Sequence, residues 1–266
     1  MRQFFRNLFA KTEEPVLPAV PVGQRIYAVG DIHGRLDLFE ALIAAIEEDD
    51  AAAAPAETCV ILLGDLVDRG ADSAGVIRRA RQWQAQRDVR ILAGNHEEMF
   101  LKSFDSTETL RHFLRHGGRQ TMLSYGITTK ALATPDIEEV QALLCAAVPP
   151  SERAYIESFE DMIRIGDYVF VHAGIDYEVP LDSQRTSDLR WIREPFLSHP
   201  GTEGVVVVHG HTISEAPEDR GCRIGIDTGA YTSGRLTAVV LEGTRRRYLE
   251  AVQDEAGTIT AAPRPL

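Results

Sequence analysis

The sequence predicts an α/β domain that carries a helical insertion. Three observations lead there. Apolar, β-branched runs alternate with amphipathic stretches from Arg25 onward, residues 97–165 carry no strand signal, and turn-forming glycines follow the apolar runs. A chain of 266 residues suggests one or two domains, and 44% hydrophobic content is enough to bury a core without disulfide or metal staples.

The strand candidates are residues 25–30, 59–64, 89–93, 168–171, 205–208 and 223–226, with later runs at 236–241 and 247–252. Between the first three lie helices. Leu36, Phe39, Leu42, Ile43 and Ile46 keep the spacing of one buried helical face, and Val76, Ala80 and Trp83 do the same further on. Residues 49–57, an acidic and alanine-rich stretch with one proline, read as a loop. The main domain is expected over residues 25–253, with the block 97–165 as a cap beside it and residues 254–266 as a tail. Residues 1–24 form a leading segment. Its first eleven residues mix Arg2, Arg6 and Lys11 with Phe4, Phe5, Leu8 and Phe9, too short and interrupted an apolar core for a signal peptide. They read as a loosely ordered tail joined through Pro15, Pro18 and Pro21 by a stiff link.

The net charge of −12 argues against a nucleic-acid partner, which would need clustered Lys and Arg, and against charge-driven attachment to anionic lipid. No run of about 18 apolar residues offers a membrane span. Cys59, Cys145 and Cys222 form no CxxC and read as reduced, mostly buried thiols of a cytoplasmic protein, with a monomer expected.

Five polar clusters each follow directly on an apolar run: Gly30-Asp31-Ile32-His33-Gly34, Gly64-Asp65-Leu66-Val67-Asp68-Arg69-Gly70, Gly94-Asn95-His96-Glu97, His172-Ala173-Gly174 and His209-Gly210-His211-Thr212. Ligands in open α/β sheets bind beyond the carboxyl ends of strands, so five such ends converge on one rim. Any one cluster alone reads as a turn or a helix cap. Together they point to a metal site. Imidazole and carboxylate without thiolate suit Mn, Fe, Zn or Ni. Asp31 and His33 can face one ion, and Asp65 can bridge to a second. Asn95, His172 and either His209 or His211 would complete that second ion.

In this order, GDxHG, GDxVDRG, GNHE and the later His-Ala and Gly-His-Thr resemble the signature of the phosphoprotein phosphatase family of calcineurin-like metallophosphoesterases, in its bacterial and phage branch, over roughly residues 25–241. The resemblance implies a β-sandwich flanked by helices (αββα) with a helical cap, and two divalent ions, with Mn the family's usual choice. It implies a first ion on Asp31, His33 and Asp65, and a second on Asp65, Asn95, His172 and His211. It selects His211 over His209, which is left as a packed strand residue. The reaction implied is direct attack on phosphorus by a metal-bridging hydroxide. His96 would act as general acid, Asp68 would orient it, and Arg69 would bind the phosphate together with Asn95 and His96. Trp191-Ile192-Arg193 resembles the branch's second phosphate-gripping segment, so Arg193 is expected there, with Arg190 as the alternative.

Other signals carry less. His112 and His116 stand four apart but lack an HExxH glutamate, so they read as a solvated or cap-lining face. Asp227-Thr228-Gly229 reads as a turn supporting the rim, and Glu97 as a first-turn helix residue. The expected substrates are proteins or peptides carrying phosphoserine or phosphothreonine, with phosphotyrosine a further option. The alternative is hydrolysis of diadenosine tetraphosphate or a related nucleotide. Members of that kind typically have alanine where this chain has Asp68, which favours the first reading. A non-catalytic module of the same fold is disfavoured because every expected ligand is present.

Overall fold

The computed structural model describes residues 17–133, 136–202 and 204–265. Its first half alternates strand and helix: β1 (Gln24–Val29), α1 (Leu36–Ala52), β2 (Glu57–Leu62), α2 (Ser73–Gln84) and β3 (Val89–Ile91). A run of helices follows: α3 (Asn95–Lys102), α4 (Thr107–Phe113), α5 (Arg119–Ser124), α6 (Ile137–Ala147) and α7 (Pro150–Glu157). The chain then returns to strands with β4 (Met162–Ile165) and β5 (Tyr168–Val171), and after α8 (Thr186–Trp191) continues through β6 (Val206–His209), β7 (Glu218–Asp219) and β8 (Arg223–Gly225). The short α9 (Ala230–Ser233) leads into β9 (Arg235–Glu242), β10 (Arg245–Gln253) and β11 (Ile259–Pro263).

The described strands form two mixed sheets. One has the order β11-β10-β9-β1-β2-β3, with β1, β2 and β3 parallel, and the other β4-β5-β6-β8-β7, with β5, β6 and β8 parallel. Period-two alternation decides how they stack. Tyr27, Val29, Val60 and Leu62 point to the helical side, where α1 buries Leu38, Phe39, Leu42, Ile43 and Ile46. Ile26, Ala28, Ile61 and Leu63 point the other way, onto Tyr168, Phe170, Val206, Val208 and Ile224 of the second sheet. The far face of that sheet, Val169, Val171 and Val207, packs on Leu189 and Phe196. Each fully buried Leu, Ile, Val or Phe contributes about 1.5–3 kcal/mol. The architecture is therefore the αββα sandwich with a helical cap.

Boundaries differ from expectation in three places. Residues 49–57 are not a loop insertion throughout, because α1 runs to Ala52, its last turn tied down by Asp49 and Asp50 ion pairs. The helical block ends at Glu157, and β4, inside the stretch expected to be helical, pairs with β5. Within the stretch expected as a tail, β11 pairs antiparallel with β10. The leading link is also docked: Val20 is buried and its N–H donates to the Gly243 carbonyl at 3.0 Å. The loosely ordered tail expected at the start falls in residues 1–16, outside the described part, and of the three cysteines expected to be mostly buried only Cys59 is, Cys222 being half-buried and Cys145 exposed. Among the described residues no helix is long and apolar enough to cross a membrane.

Candidate active site

The carboxyl ends of β1, β2, β3, β5 and β6 meet at one rim of the sandwich. The non-glycine residues with left-handed backbone among those described are His33 (φ 46°), Asp65 (φ 51°), Asp68 (φ 74°), Arg69 (φ 69°) and His211 (φ 61°), all at this rim. Such conformations cost about 1–3 kcal/mol each and persist only where the surroundings over-determine them. Gly210 and Gly94 permit close approach of the ligand carboxylates, since a Cβ there would stand 2.0 Å from Asp31 Oδ1 and 2.1 Å from Asp65 Oδ1 respectively.

Two buried histidines have their tautomers fixed by backbone. His33 Nδ1 donates to the Val67 carbonyl and His172 Nδ1 to the Leu63 carbonyl, each at 2.8 Å. Their Nε2 lone pairs are thereby turned inward. His33 Nε2 faces Asp65 Oδ2 at 3.4 Å, and His172 Nε2 faces Asp65 Oδ1 at 3.4 Å and Asn95 Oδ1 at 3.0 Å. His211 Nδ1 reaches the same Asn95 oxygen at 2.9 Å. Burial lowers His33 well below its ordinary value and takes His172 to about 3, so protons do not fill the gap between these acceptors. Burial together with neighbouring imidazole and arginine charge takes His211 to about 2. Burial raises Asp65 to about 6 against the pull of His96. Inward-facing lone pairs around a shared carboxylate are the donor set a divalent cation requires, and the residues fit one.

Two triads have ligand atoms within 4.8 Å of one another, His33–Asp65–His96 and Asp65–His172–His211. Asp65 belongs to both, with one oxygen turned to each. Asp31 is placed differently from a tight third ligand. Its carboxylate accepts the His211 N–H at 3.1 and 3.2 Å and bonds Asp227, and burial beside Asp227 and Asp65 raises it well above the usual carboxylate range.

Next to this cluster, His96 Nδ1 and Asp68 Oδ2 are 2.6 Å apart and both buried. Desolvation lowers His96, and because the Arg69 guanidinium can only donate, the ring proton belongs on Nδ1, facing Asp68. Its Nε2 then accepts from Arg69 Nη2 at 3.1 Å. The Arg69 guanidinium lies over the Tyr231 ring, 4.6 Å from its centroid. Glu97 is more than a first-turn residue. Its Oε1 accepts the N–H groups of Leu66 and Val67 at 2.8 and 3.2 Å, and its Oε2 those of Asp65 and Gly94, both at 2.8 Å, so one buried side chain ties the second and third clusters together.

Asp65, Arg69, Asn95, His96, Arg193 and His211 share a cleft of about 740 Å³. Arg193 donates to the His211 carbonyl at 3.4 Å, whereas Arg190 is held away by Asp161 and Glu98. His112 and His116, with ring centroids 4.0 Å apart, line the cleft from the cap side. His209 is buried outside the cleft, edge-on to Phe196 and accepting from Arg223. Tyr231, Trp191 and Ile213 also line the cleft. Trp191 belongs to the segment expected to bring Arg193 to the phosphate, whereas sequence reasoning gave Tyr231 and Ile213 no role, because no local pattern marks them as cleft residues.

A two-sheet sandwich whose strand ends gather His, Asp and Asn around convergent lone pairs defines a metal-dependent phosphoester hydrolase. The family pattern of the calcineurin-like phosphoesterases matches residues 24–235, and the chain belongs to that family. It is 29% identical over 223 residues to serine/threonine-protein phosphatase 1 of Salmonella typhimurium, covering 80% of this chain and 90% of that one. It is 25% identical over 233 residues to an asymmetrical bis(5'-nucleosyl)-tetraphosphatase of Bacillus velezensis, covering 79% and 86%. A solved structure of a cold-active protein tyrosine phosphatase shares the fold with a TM-score of 0.57 and 22% identity, covering 91% of this chain and 81% of that one.

Proposed function

We propose that the protein is a phosphomonoesterase acting on phosphoserine and phosphothreonine in proteins, with phosphotyrosine a further substrate. The observation that carries this reading is the buried Asp68–His96 pair at 2.6 Å beside the ligand cluster. A proton donor matters most where the leaving group is a poorly stabilised alkoxide, as in serine and threonine esters. Asp31, His33 and Asp65 would hold one divalent ion, and Asp65, Asn95, His172 and His211 a second, with manganese the proposed metal. Such ions supply Lewis acidity toward phosphoryl oxygens and a nucleophilic water at neutral pH. Arg69 and Arg193, both lining the cleft, offer planar forks to the remaining oxygens. When Arg69 turns to the phosphate it leaves His96 Nε2, which would then take a proton from solvent and pass it to the leaving oxygen, returning the ring to its neutral form. Asp68 holds the opposite ring nitrogen throughout.

Hydrolysis of dinucleoside tetraphosphates is the competing reading, and the Bacillus velezensis relative supports it at similar coverage. The manganese-loaded protein, assayed on phosphoserine, phosphothreonine and phosphotyrosine peptides, a phosphodiester and diadenosine tetraphosphate, separates the two. Phosphopeptides should give the higher kcat/KM. A preference for the dinucleotide of roughly tenfold or more, about 1.4 kcal/mol in transition-state binding, overturns the proposal.

A further inference from the structure

The consecutive left-handed residues Asp68 (φ 74°) and Arg69 (φ 69°) do not hold themselves, because neither is glycine. Two groups from the helical insertion hold them. In α5, the fully buried Thr121 donates its hydroxyl to Asp68 Oδ1 at 2.6 Å and accepts the Asp68 N–H at 2.9 Å, while Ser73 Oγ lies 2.9 Å from Thr121 Oγ1. Ser73 Oγ also accepts the Asp68 N–H, at 2.9 Å. Counting hydrogens fixes the directions. The Thr121 proton goes to the carboxylate, so the Ser73 proton goes to Thr121. Asp68 is thus gripped at Oδ1 by Thr121 and presents Oδ2 to His96 Nδ1. One turn earlier, the π-turn at Leu114–Gly118 brings the Gly117 carbonyl to the Arg69 N–H at 3.2 Å. Gly117 has φ +112°, and a Cβ there would stand 2.7 Å from the Arg69 backbone nitrogen.

We propose that Thr121 is a positioning residue for proton delivery, setting the Asp68 carboxylate and through it the His96 ring. The cap is then part of the catalytic geometry as well as a wall of the substrate cleft. This inference rests on the reading of His96 as the proton donor. Thr121 touches neither substrate nor metal, so its effect depends on how much the leaving oxygen needs a proton. An alkoxide from phosphoserine needs one when the P–O bond breaks; a p-nitrophenolate does not.

The test compares full-length, manganese-loaded wild type, Thr121→Val and Thr121→Ser on a phosphoserine peptide and on p-nitrophenyl phosphate. Thr121→Val should lose roughly tenfold or more in kcat on the peptide, with KM and metal content near wild type. On p-nitrophenyl phosphate its loss should stay within about threefold. Thr121→Ser, which keeps the hydroxyl, should recover most of the peptide rate. Equal losses on both substrates, or no loss on either, overturn the inference. Should Thr121→Val melt below the assay temperature, Thr121→Ala removes the same hydroxyl and is judged by the same comparison. Failure of the functional reading is seen separately and first, as wild type that turns over no phosphoserine peptide.

Discussion

At the residue scale, the Asp65 carboxylate shows how much one side chain is asked to do. Its backbone is left-handed, its N–H is held by Glu97, its Oδ1 accepts the His96 N–H at 3.0 Å, and its two oxygens face opposite histidines. Gly-Asp at a strand end was readable as a candidate, and so was the sharing of Asp65, because five clusters of ligand-type residues shared one periodic context. The Glu97 clamp was not readable. A glutamate in a first helical turn looks the same whether it faces solvent or four amides of neighbouring loops. The same scale separates metal binding from proton transfer. Asp31→Asn should weaken metal retention about tenfold or more, since its carboxylate orients the His211 backbone and lies against the cluster. His96→Asn should slow single turnovers roughly 10²–10⁴-fold with both metals retained. Metal analysis beside single-turnover rates checks both. Metal loss in His96→Asn would instead make His96 a ligand of the His33–Asp65 triad.

At the element scale, strands announced themselves where a continuous apolar, β-branched run was present and stayed hidden where it was short or polar. β4 has four residues and sits directly after helical sequence. β7 has two. β11, Ile259–Pro263, is a half-exposed edge strand that ends on a proline, a composition that edges tolerate and that reads as a tail. The cap helices were legible from their lack of strand signal, but their purpose was not. Thr121 and Gly117 reach Asp68 and Arg69 across roughly fifty residues of chain, a closure no local spacing encodes. The π-turn carries an expected outcome of its own. Gly117→Ala meets Arg69 backbone and a left-handed φ together, so neither side can yield cheaply. It should destabilise the protein by about 1–3 kcal/mol and raise KM for phosphoesters by displacing Arg69. A thermal melt read beside initial-rate kinetics measures both, and an unchanged melt with unchanged KM would show that the turn relaxes freely.

At the scale of the whole molecule, the acidity that argued against nucleic-acid and lipid partners also has a structural share. Asp49 and Asp50, at the end of α1, tie that helix to three distant parts of the chain. Asp49 receives Arg247 of β10 through two hydrogen bonds at 2.7 and 2.6 Å and the Tyr27 hydroxyl of β1 at 2.5 Å. Asp50 receives Arg25 at 2.8 Å, Thr58 at 2.9 Å and Arg87 at 3.1 Å. Arg25 continues the network to Glu242 of β9 at 2.9 Å. Burial alone would raise both carboxyls, but the hydrogen bonds from Arg247 and Tyr27, and from Arg25 and Thr58, outweigh it and hold both below the usual carboxylate range. A depressed folded pKa means that the unfolded chain binds the proton more readily. The stabilisation is therefore complete above the unfolded value of about 3.9 and is lost as pH falls through the lower folded values. With metal removed by chelator, the buried rim carboxyls raised by burial titrate alike in wild type and in Asp49→Asn, so the difference between the two melting temperatures isolates the anchor: it should be steady from pH 7 to about 5 and shrink steeply below about 4. Asp49→Asn should start lower and fall less over the same acid window, because its site no longer titrates. Parallel acid profiles for the two proteins would show that the α1 anchor contributes through packing alone.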